Sequence, residues 1–172
     1  VRYRAKWRIA FDQLLRLDGN GVRFDWLTFD EGYGSKVPFL KLLDLGGQRF
    51  VAEVPVSFSV RTEDGGPARR ADAVLTAQAA AGGARWRQRR ETVADAWWRG
   101  AEAEVVVGRR RMRLVAAVNE ASAEVKYFVT NAVGEPLRAV LSVAFRRATI
   151  EHTFRLAKGE AGLTHYEGRQ YT

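Results

Sequence analysis

The chain has 172 residues, 47% of them hydrophobic, and it contains no cysteine. This length suits one domain with a substantial core. The lack of cysteine excludes disulfides, thiolate nucleophiles and cysteine zinc sites. No apolar stretch approaches the roughly 20 residues that a membrane-spanning helix needs. A formal net charge of +8 and a pI of about 10.3 predict a polyanionic partner, with nucleic acid favoured over an acidic membrane surface.

The first part of the chain, residues 1–55, predicts an α/β core. Helical spacing and strand-like runs of apolar residues alternate here, and they predict a helix over 5–18, a strand over 22–29, a helix over 35–45 and a strand over 49–54. Ser35 is the candidate cap of the second helix, with Pro38 tolerated in its first turn.

The middle part, residues 56–131, predicts a β-rich insertion. A loop rich in glycine, proline and arginine and an alanine-rich stretch come first. Three runs with period-two alternation follow, at 102–107, 111–118 and 124–130. Helical spacing returns at Pro136, so residues 132–172 are predicted to rejoin the core as its C-terminal helical part.

An acidic residue ends the first predicted strand. Asp30 stands in the sequence Leu-Thr-Phe-Asp-Glu-Gly-Tyr-Gly, beside glycines that allow a ligand to approach the backbone. Ligands collect at the carboxyl ends of strands in open α/β sheets, which makes Asp30 a candidate binding or catalytic residue. The simpler interpretation is an aspartate that caps a helix or a turn.

A second cluster of charged residues lies near the C-terminus. Arg147, Glu151 and Lys158 are spaced by four and seven, so on a helix they share one face. Spacing alone favours a solvated salt bridge. A carboxylate between two cations would also suit a metal ligand flanked by phosphate contacts.

Taken in order, TFDEGYG, RFVAEVP, the β-rich segment and R-x-x-x-E-x-x-x-x-x-x-K-x-E-x-G-L-x-H-Y-E resemble the DDE-type bacterial insertion-sequence transposases with a tyrosine, arginine, glutamate, lysine signature. The resemblance covers most of the chain. It implies a ribonuclease H-like fold, incomplete here at the N-terminus, in which three carboxylates hold two Mg²⁺ or Mn²⁺ ions. Asp30 would be the second catalytic aspartate and Glu151 the catalytic glutamate, both as metal ligands, with Arg147 and Lys158 contacting DNA phosphates.

The chain departs from this family pattern at two positions. Ala144 occupies the place of the signature tyrosine, and the first catalytic aspartate is expected upstream of Val1. Three other aspartates are unsuited to replace it, because two lie on the first predicted helix and one on the opposite strand face from Asp30: Asp12, Asp18 and Asp25. We therefore expect an excised piece or a late start that neither cuts nor joins DNA alone.

Further candidate DNA contacts are aromatic and basic. The resemblance implies that Trp97 or Trp98 stacks on a base flipped from the transposon end, whereas core packing is the simpler interpretation. Arg109 and Arg111 belong to a basic cluster that either tracks phosphates or forms a solvated strand face. His152 and His165 have no third ligand at metal-ligand spacing, and each is either a structural residue or a candidate DNA contact.

The expected function is DNA transposition, by metal-dependent strand cleavage and strand transfer at transposon ends. The expected partner is double-stranded DNA, the expected assembly a homodimer when complete, and the expected location the bacterial cytoplasm at the nucleoid. A non-catalytic basic nucleic-acid-binding module, or a decayed transposase remnant, is the alternative. A small-molecule α/β enzyme is disfavoured, because the sequence has neither a glycine fingerprint after its first strand nor a nucleophile elbow.

Overall fold

The computed structural model of the chain describes residues 3–80, 87–93 and 96–160. These residues form helices and strands in a mixed arrangement, which confirms the predicted α/β class. The helices are α1 (Lys6–Gly19), α2 (Glu31–Gly34), α3 (Val37–Leu45), α4 (Ala71–Ala80) and α5 (Leu137–Glu160). The strands are β1 (Leu27–Phe29), β2 (Phe50–Val54), β3 (Ser59–Val60), β4 (Arg69–Arg70), β5 (Arg87–Val93), β6 (Ala96–Val107), β7 (Arg110–Asn119) and β8 (Val125–Thr130).

Six strands form one sheet in the order β1-β2-β8-β7-β6-β5, and β3 pairs with β4 in a separate ribbon. Strand β1 runs parallel to β2, and the remaining neighbours in the sheet are antiparallel. Strands β6 to β8 confirm the three runs predicted from period-two alternation, although β6 begins earlier, at Ala96. Because β8 pairs directly with β2, the sheet crosses the predicted boundary at residue 55 without a break. The division into three parts stays a prediction.

Helices cover both faces of the sheet. On one face the buried side chains of α3 and α4 form a core with β2, β6 and β7, and the partly buried apolar residues of α1 pack at its margin. On the other face α5 buries Val140, Leu141 and Phe145 against Val51 and Phe128. Successive strand residues point to opposite faces, so each strand supplies side chains to both cores.

The first predicted strand, over 22–29, is wrong in its length. Only Leu27–Phe29 pair with β2, and Phe24 is exposed. The carbonyl oxygens before the strand are taken by side chains instead, because Gln48 Nε2 donates to Phe24 O over 3.1 Å and Arg49 Nε donates to Asp25 O over 3.2 Å.

The second helix is also corrected, because a separate short helix precedes it. Ser35 ends α2 and does not cap α3, whose N-cap, Lys36, makes no side-chain capping bond. Pro38 lies in the first turn of α3, as predicted. Within the described ranges, no helix is both long enough and apolar enough to cross a membrane.

A hairpin turn joins β6 to β7 and is anchored to α3. Gly108 and Arg109 have φ angles of 55° and 65°, as a two-residue type I′ turn requires at both central positions. A Cβ on Gly108 would lie 2.8 Å from Val37 Cγ1, so the turn lies against α3. Asp44 completes the link by accepting hydrogen bonds from Arg110 and from Asn131.

Helix α2 and strand β2 approach each other closely at Gly34. A Cβ added to Gly34 would lie 1.9 Å from the carbonyl oxygen of Glu53, a distance at which the backbone has to move. We expect Gly34→Ala to destabilise the protein by about 1–3 kcal/mol or more, the usual cost of overpacking. Urea unfolding measures this loss.

Gly19→Ala is the matched control, because a Cβ at Gly19 meets nothing within 4 Å. This variant should stay within about 0.5 kcal/mol of the original chain. Equal stability of the two variants would contradict the close approach of α2 to β2.

Candidate active site

Asp30 follows β1 directly and caps α2. Its Oδ1 accepts a hydrogen bond from the Tyr33 backbone N–H over 3.3 Å, so the simpler interpretation of Asp30 as a cap is confirmed. A Cβ on Gly32 would lie 3.0 Å from this Oδ1, and the glycine thus leaves room for the carboxylate. The side chain is half-buried, and among the described residues no cation forms an ion pair with it. A capping role leaves this carboxylate able to bind a cation.

Glu53 lies beside Asp30 at the same edge of the sheet. Phe29 pairs with Ala52 in the parallel register, and the next residues along each strand are Asp30 and Glu53. Carboxyl ends of parallel strands meet at one edge, so two acidic residues come together there. The Glu53 side chain points to the α5 face, because it alternates with the core residues Ala52 and Val54 on the other face.

Two cations hold the Glu53 carboxylate. Lys126 Nζ, from β8, donates to Oε1 over 2.9 Å, and Arg147 Nη1, from α5, donates to Oε2 over 3.1 Å. The carboxylate is 17% exposed, whereas the side chains of Lys126 and Arg147 are 31% and 30% exposed. The three side chains together carry a net charge of +1 next to Asp30.

The charges around Lys126 favour its protonated form. Burial acts to lower the pKa of Lys126, but the hydrogen bond and charge of Glu53, with a smaller contribution from Glu124, outweigh it and raise the pKa above its usual value. Burial also raises the pKa of Tyr127, the neighbouring residue, whose side chain faces the other core.

Helix α5 packs against both β1 and β2 and places Arg147 at the site. Ala144, at the position of the signature tyrosine, is buried against the sheet in the α5 core, as is its neighbour Phe145. The backbone at Glu151 and Lys158 belongs to α5, and position 151 lies one helical turn beyond Arg147. The side chains at 151 and 158 lie outside the described part of the structure, and so does His165.

The two tryptophans point in opposite directions from β6. Trp98 is 6% exposed and packs against Phe145 with ring centroids 4.6 Å apart, so core packing is confirmed for this residue and base stacking would require it to leave the core. Trp97 is 46% exposed and is the one of the pair placed at the surface. A DNA contact at Trp97 stays a prediction.

The basic cluster after β6 contains two exposed arginines and two that pair with carboxylates. Arg109 and Arg111 are exposed, whereas Arg110 pairs with Asp44. Arg113 is 6% exposed, pairs with Glu102 over 3.0 Å and donates to the Ala132 carbonyl oxygen over 2.9 Å. Arg109 and Arg111 are the members that lie at the surface with no carboxylate partner among the described residues, as a contact to a phosphate backbone requires.

The described residues contain no group of three Asp, Glu or His side chains that could hold a metal ion. The aspartates considered as replacements for the first catalytic aspartate lie elsewhere: Asp12 pairs with Arg4, Asp18 pairs with Arg23, and Asp25 is 4.0 Å from Arg49. None of them joins Asp30 in such a group.

Sequence reasoning missed Glu53 and Lys126. The motif RFVAEVP contains Glu53, and a single carboxylate inside an apolar strand is itself a signal, because a buried charge needs a partner. Nothing in the sequence identified Lys126 as that partner, since it is 73 residues away and the contact depends on the β2–β8 register.

A mixed sheet covered by helices, with an acidic residue at the carboxyl end of a parallel strand, defines an α/β protein with a candidate metal-dependent site. Residues 1–103 match the family model described as DDE superfamily endonuclease. The match spans more than half of the chain and includes Asp30 and Glu53, so the chain belongs to this family. No curated protein matches the chain.

Family membership has direct consequences for fold and chemistry. The mixed α/β structure is consistent with the ribonuclease H-like fold of DDE endonucleases, as predicted. DDE superfamily endonucleases generally use divalent metal ions, and the family implies a DNA substrate. The match ends before α5, so the roles of Arg147, Glu151 and Lys158 stay predictions.

Replacing Asp30 separates its capping role from its charge. We expect Asp30→Ala to destabilise the protein by about 1 kcal/mol, because the Tyr33 N–H loses its side-chain acceptor and keeps only the Asp30 carbonyl oxygen, and Asp30→Asn to cost at most a few tenths, because asparagine caps equally well. Chemical denaturation measures both variants. An equal loss in both would mean that the charge, and not the cap, stabilises this turn.

The raised pKa of Lys126 predicts a stability loss in alkali. The Lys126 ion pair contributes fully below the usual lysine pKa of 10.5, and its contribution disappears as the pH rises through the higher folded-state value. We expect the free energy of unfolding to fall more steeply for the original chain than for Lys126→Met as the pH rises above about 10.5. The raised pKa of Tyr127 lowers stability in the same pH range in both proteins and cancels in the difference. Identical curves would contradict the ion pair.

Proposed function

We propose that the chain is the part of a transposase that supplies the second and third catalytic carboxylates for DNA strand cleavage and strand transfer at transposon ends, in the bacterial insertion-sequence branch with the tyrosine, arginine, glutamate, lysine signature. One observation carries the proposal. Asp30, inside the family match, presents a half-buried carboxylate at the carboxyl end of β1 and, among the described residues, has no cationic partner.

The donor atoms fit the proposed ions. Magnesium and manganese prefer carboxylate oxygens, which Asp30 offers and which Glu151 on α5 would add. When bound, two such ions would help to activate the attacking hydroxyl and stabilise the leaving oxygen. Asp12, Asp18 and Asp25 pair with arginines away from Asp30 and are not placed to act as the first aspartate, and we propose that the chain alone neither cuts nor joins DNA.

The basic residues have a positioning role in this proposal. Arg147 and Lys158 would contact phosphates near the reacting bond, while the exposed Arg109 and Arg111 would follow the DNA backbone at the β6–β7 turn. Trp97 would stack on an unpaired base. We further propose that the complete transposase acts as a homodimer on double-stranded DNA in the bacterial cytoplasm.

One experiment with two readouts tests the proposal. Calorimetric titration with Mn²⁺ should show binding to the original chain and at least a tenfold loss of affinity in Asp30→Asn, which keeps the helix cap. Binding of duplex DNA should depend on salt, and replacing Arg109 and Arg111 by alanine should reduce the slope of log K against log salt by about 0.9 for each lost phosphate contact.

The outcomes separate the candidate functions. Absence of duplex DNA binding would overturn the proposal. DNA binding with an Mn²⁺ affinity that Asp30→Asn does not change would favour the alternative, a non-catalytic basic nucleic-acid-binding module. Magnesium-dependent plasmid cleavage by the chain would support nuclease function but contradict the expectation that the chain is inactive alone.

A further inference from the structure

We propose that Lys126 and Arg147 form a binding site for a phosphate of the DNA backbone, and that the Glu53 carboxylate occupies this site in the DNA-free protein. The inference rests on the proposed function, because its ligand is a nucleic-acid phosphate. It adds Lys126 to the DNA contacts and gives Glu53 the role of a competing internal anion.

The geometry is that of an occupied anion site. The two cations come from different elements, β8 and α5, and converge on separate oxygens of one carboxylate at 2.9 Å and 3.1 Å. These are the distances at which ammonium and guanidinium groups also bind phosphate oxygens. The cations are more exposed than the carboxylate between them, so an anion from solvent can reach them.

The position of the site agrees with a backbone phosphate near the reacting bond. Glu53 follows Ala52 in β2 as Asp30 follows Phe29 in β1, so the site and the candidate metal ligand share one sheet edge. Lys126 and Arg147 attract a phosphate, whereas Glu53 between them, and Glu124 at 3.6 Å from Lys126, reduce that attraction.

Stability alone explains this group of charges poorly. Apolar side chains of similar volume at a half-buried position are often as stabilising as an ion pair, because charges lose hydration when they are buried. The ion pair of Glu102, in contrast to that of Glu53, has a clear structural role. Glu102 pairs with Arg113, which also binds the Ala132 carbonyl oxygen and thereby ties β7 to the loop after β8.

The test compares Glu53→Gln with Glu135→Gln. Glu135 pairs with Arg49 over 2.9 Å, and Arg49 lies just before β2, at the opposite end of that strand from Glu53. Both variants remove one negative charge that pairs with an arginine, so a general charge effect would strengthen DNA binding equally in both. A local phosphate site predicts the larger effect for Glu53→Gln.

The measured quantity is the salt dependence of duplex DNA binding. Glu53→Gln should raise the affinity for duplex DNA several-fold at both about 50 mM and about 200 mM salt, because the phosphate no longer has to displace Glu53, while the slope of log K against log salt keeps its original value. Adding Lys126→Gln should remove most of this gain and make the slope shallower by about 0.9. An equal effect in Glu53→Gln and Glu135→Gln would overturn the inference while leaving the proposed function standing.

Inorganic phosphate provides a readout that does not depend on DNA. It should raise the melting temperature of Glu53→Gln more than that of the original chain or of Glu135→Gln, and the absence of this difference would overturn the anion site even where DNA binding itself fails. If Glu53→Gln does not fold, the salt dependence of DNA binding by the single variant Lys126→Gln tests the inference instead. A phosphate contact predicts a slope shallower by about 0.9, and a purely structural ion pair predicts no change.

Discussion

The contact between Gly34 and the backbone of Glu53 determines how the candidate site is arranged. With no side chain at position 34, α2 lies directly on the end of β2. Asp30 caps this helix and ends β1, so the same contact fixes Asp30 beside Glu53. The Glu53 side chain extends to the other face of the sheet, where it meets the cations of β8 and α5. Glu53 therefore contacts α2 through its backbone and α5 through its side chain.

Local periodicity predicted much of the fold. Helices α1, α3 and α5 and strands β2, β6, β7 and β8 carry apolar residues at regular spacing, and that spacing depends only on neighbours in the sequence. The four-residue helix α2 is too short to show a helical period. Strand β5, with the sequence RQRRETV, lacks an apolar alternation. The length of β1 depends on side-chain bonds from Gln48 and Arg49, which local periodicity does not register.

The candidate site was likewise predictable only where it depends on local sequence features. Asp30 could be predicted because a strand end and adjacent glycines are local features. The environment of Glu53 could not, because it depends on the register of β2 with β8 and on the position of α5 along the sheet. The same non-local packing explains Ala144, since a residue buried between α5 and the sheet has little room for a tyrosine ring.

The charges at this edge also bear on how tightly DNA should bind. Folding has already partly desolvated Lys126 and Arg147 and fixed their donors, so a phosphate that displaces Glu53 meets an ordered site at a lower entropic cost. Displacement, however, separates Glu53 from its two cations. Glu53 therefore competes with the DNA phosphate for the two cations. A polyanion whose phosphates do not fit both cations with good geometry is bound more weakly. For a protein with a net charge of +8, such selectivity limits non-specific association with nucleic acid while keeping the cations in place.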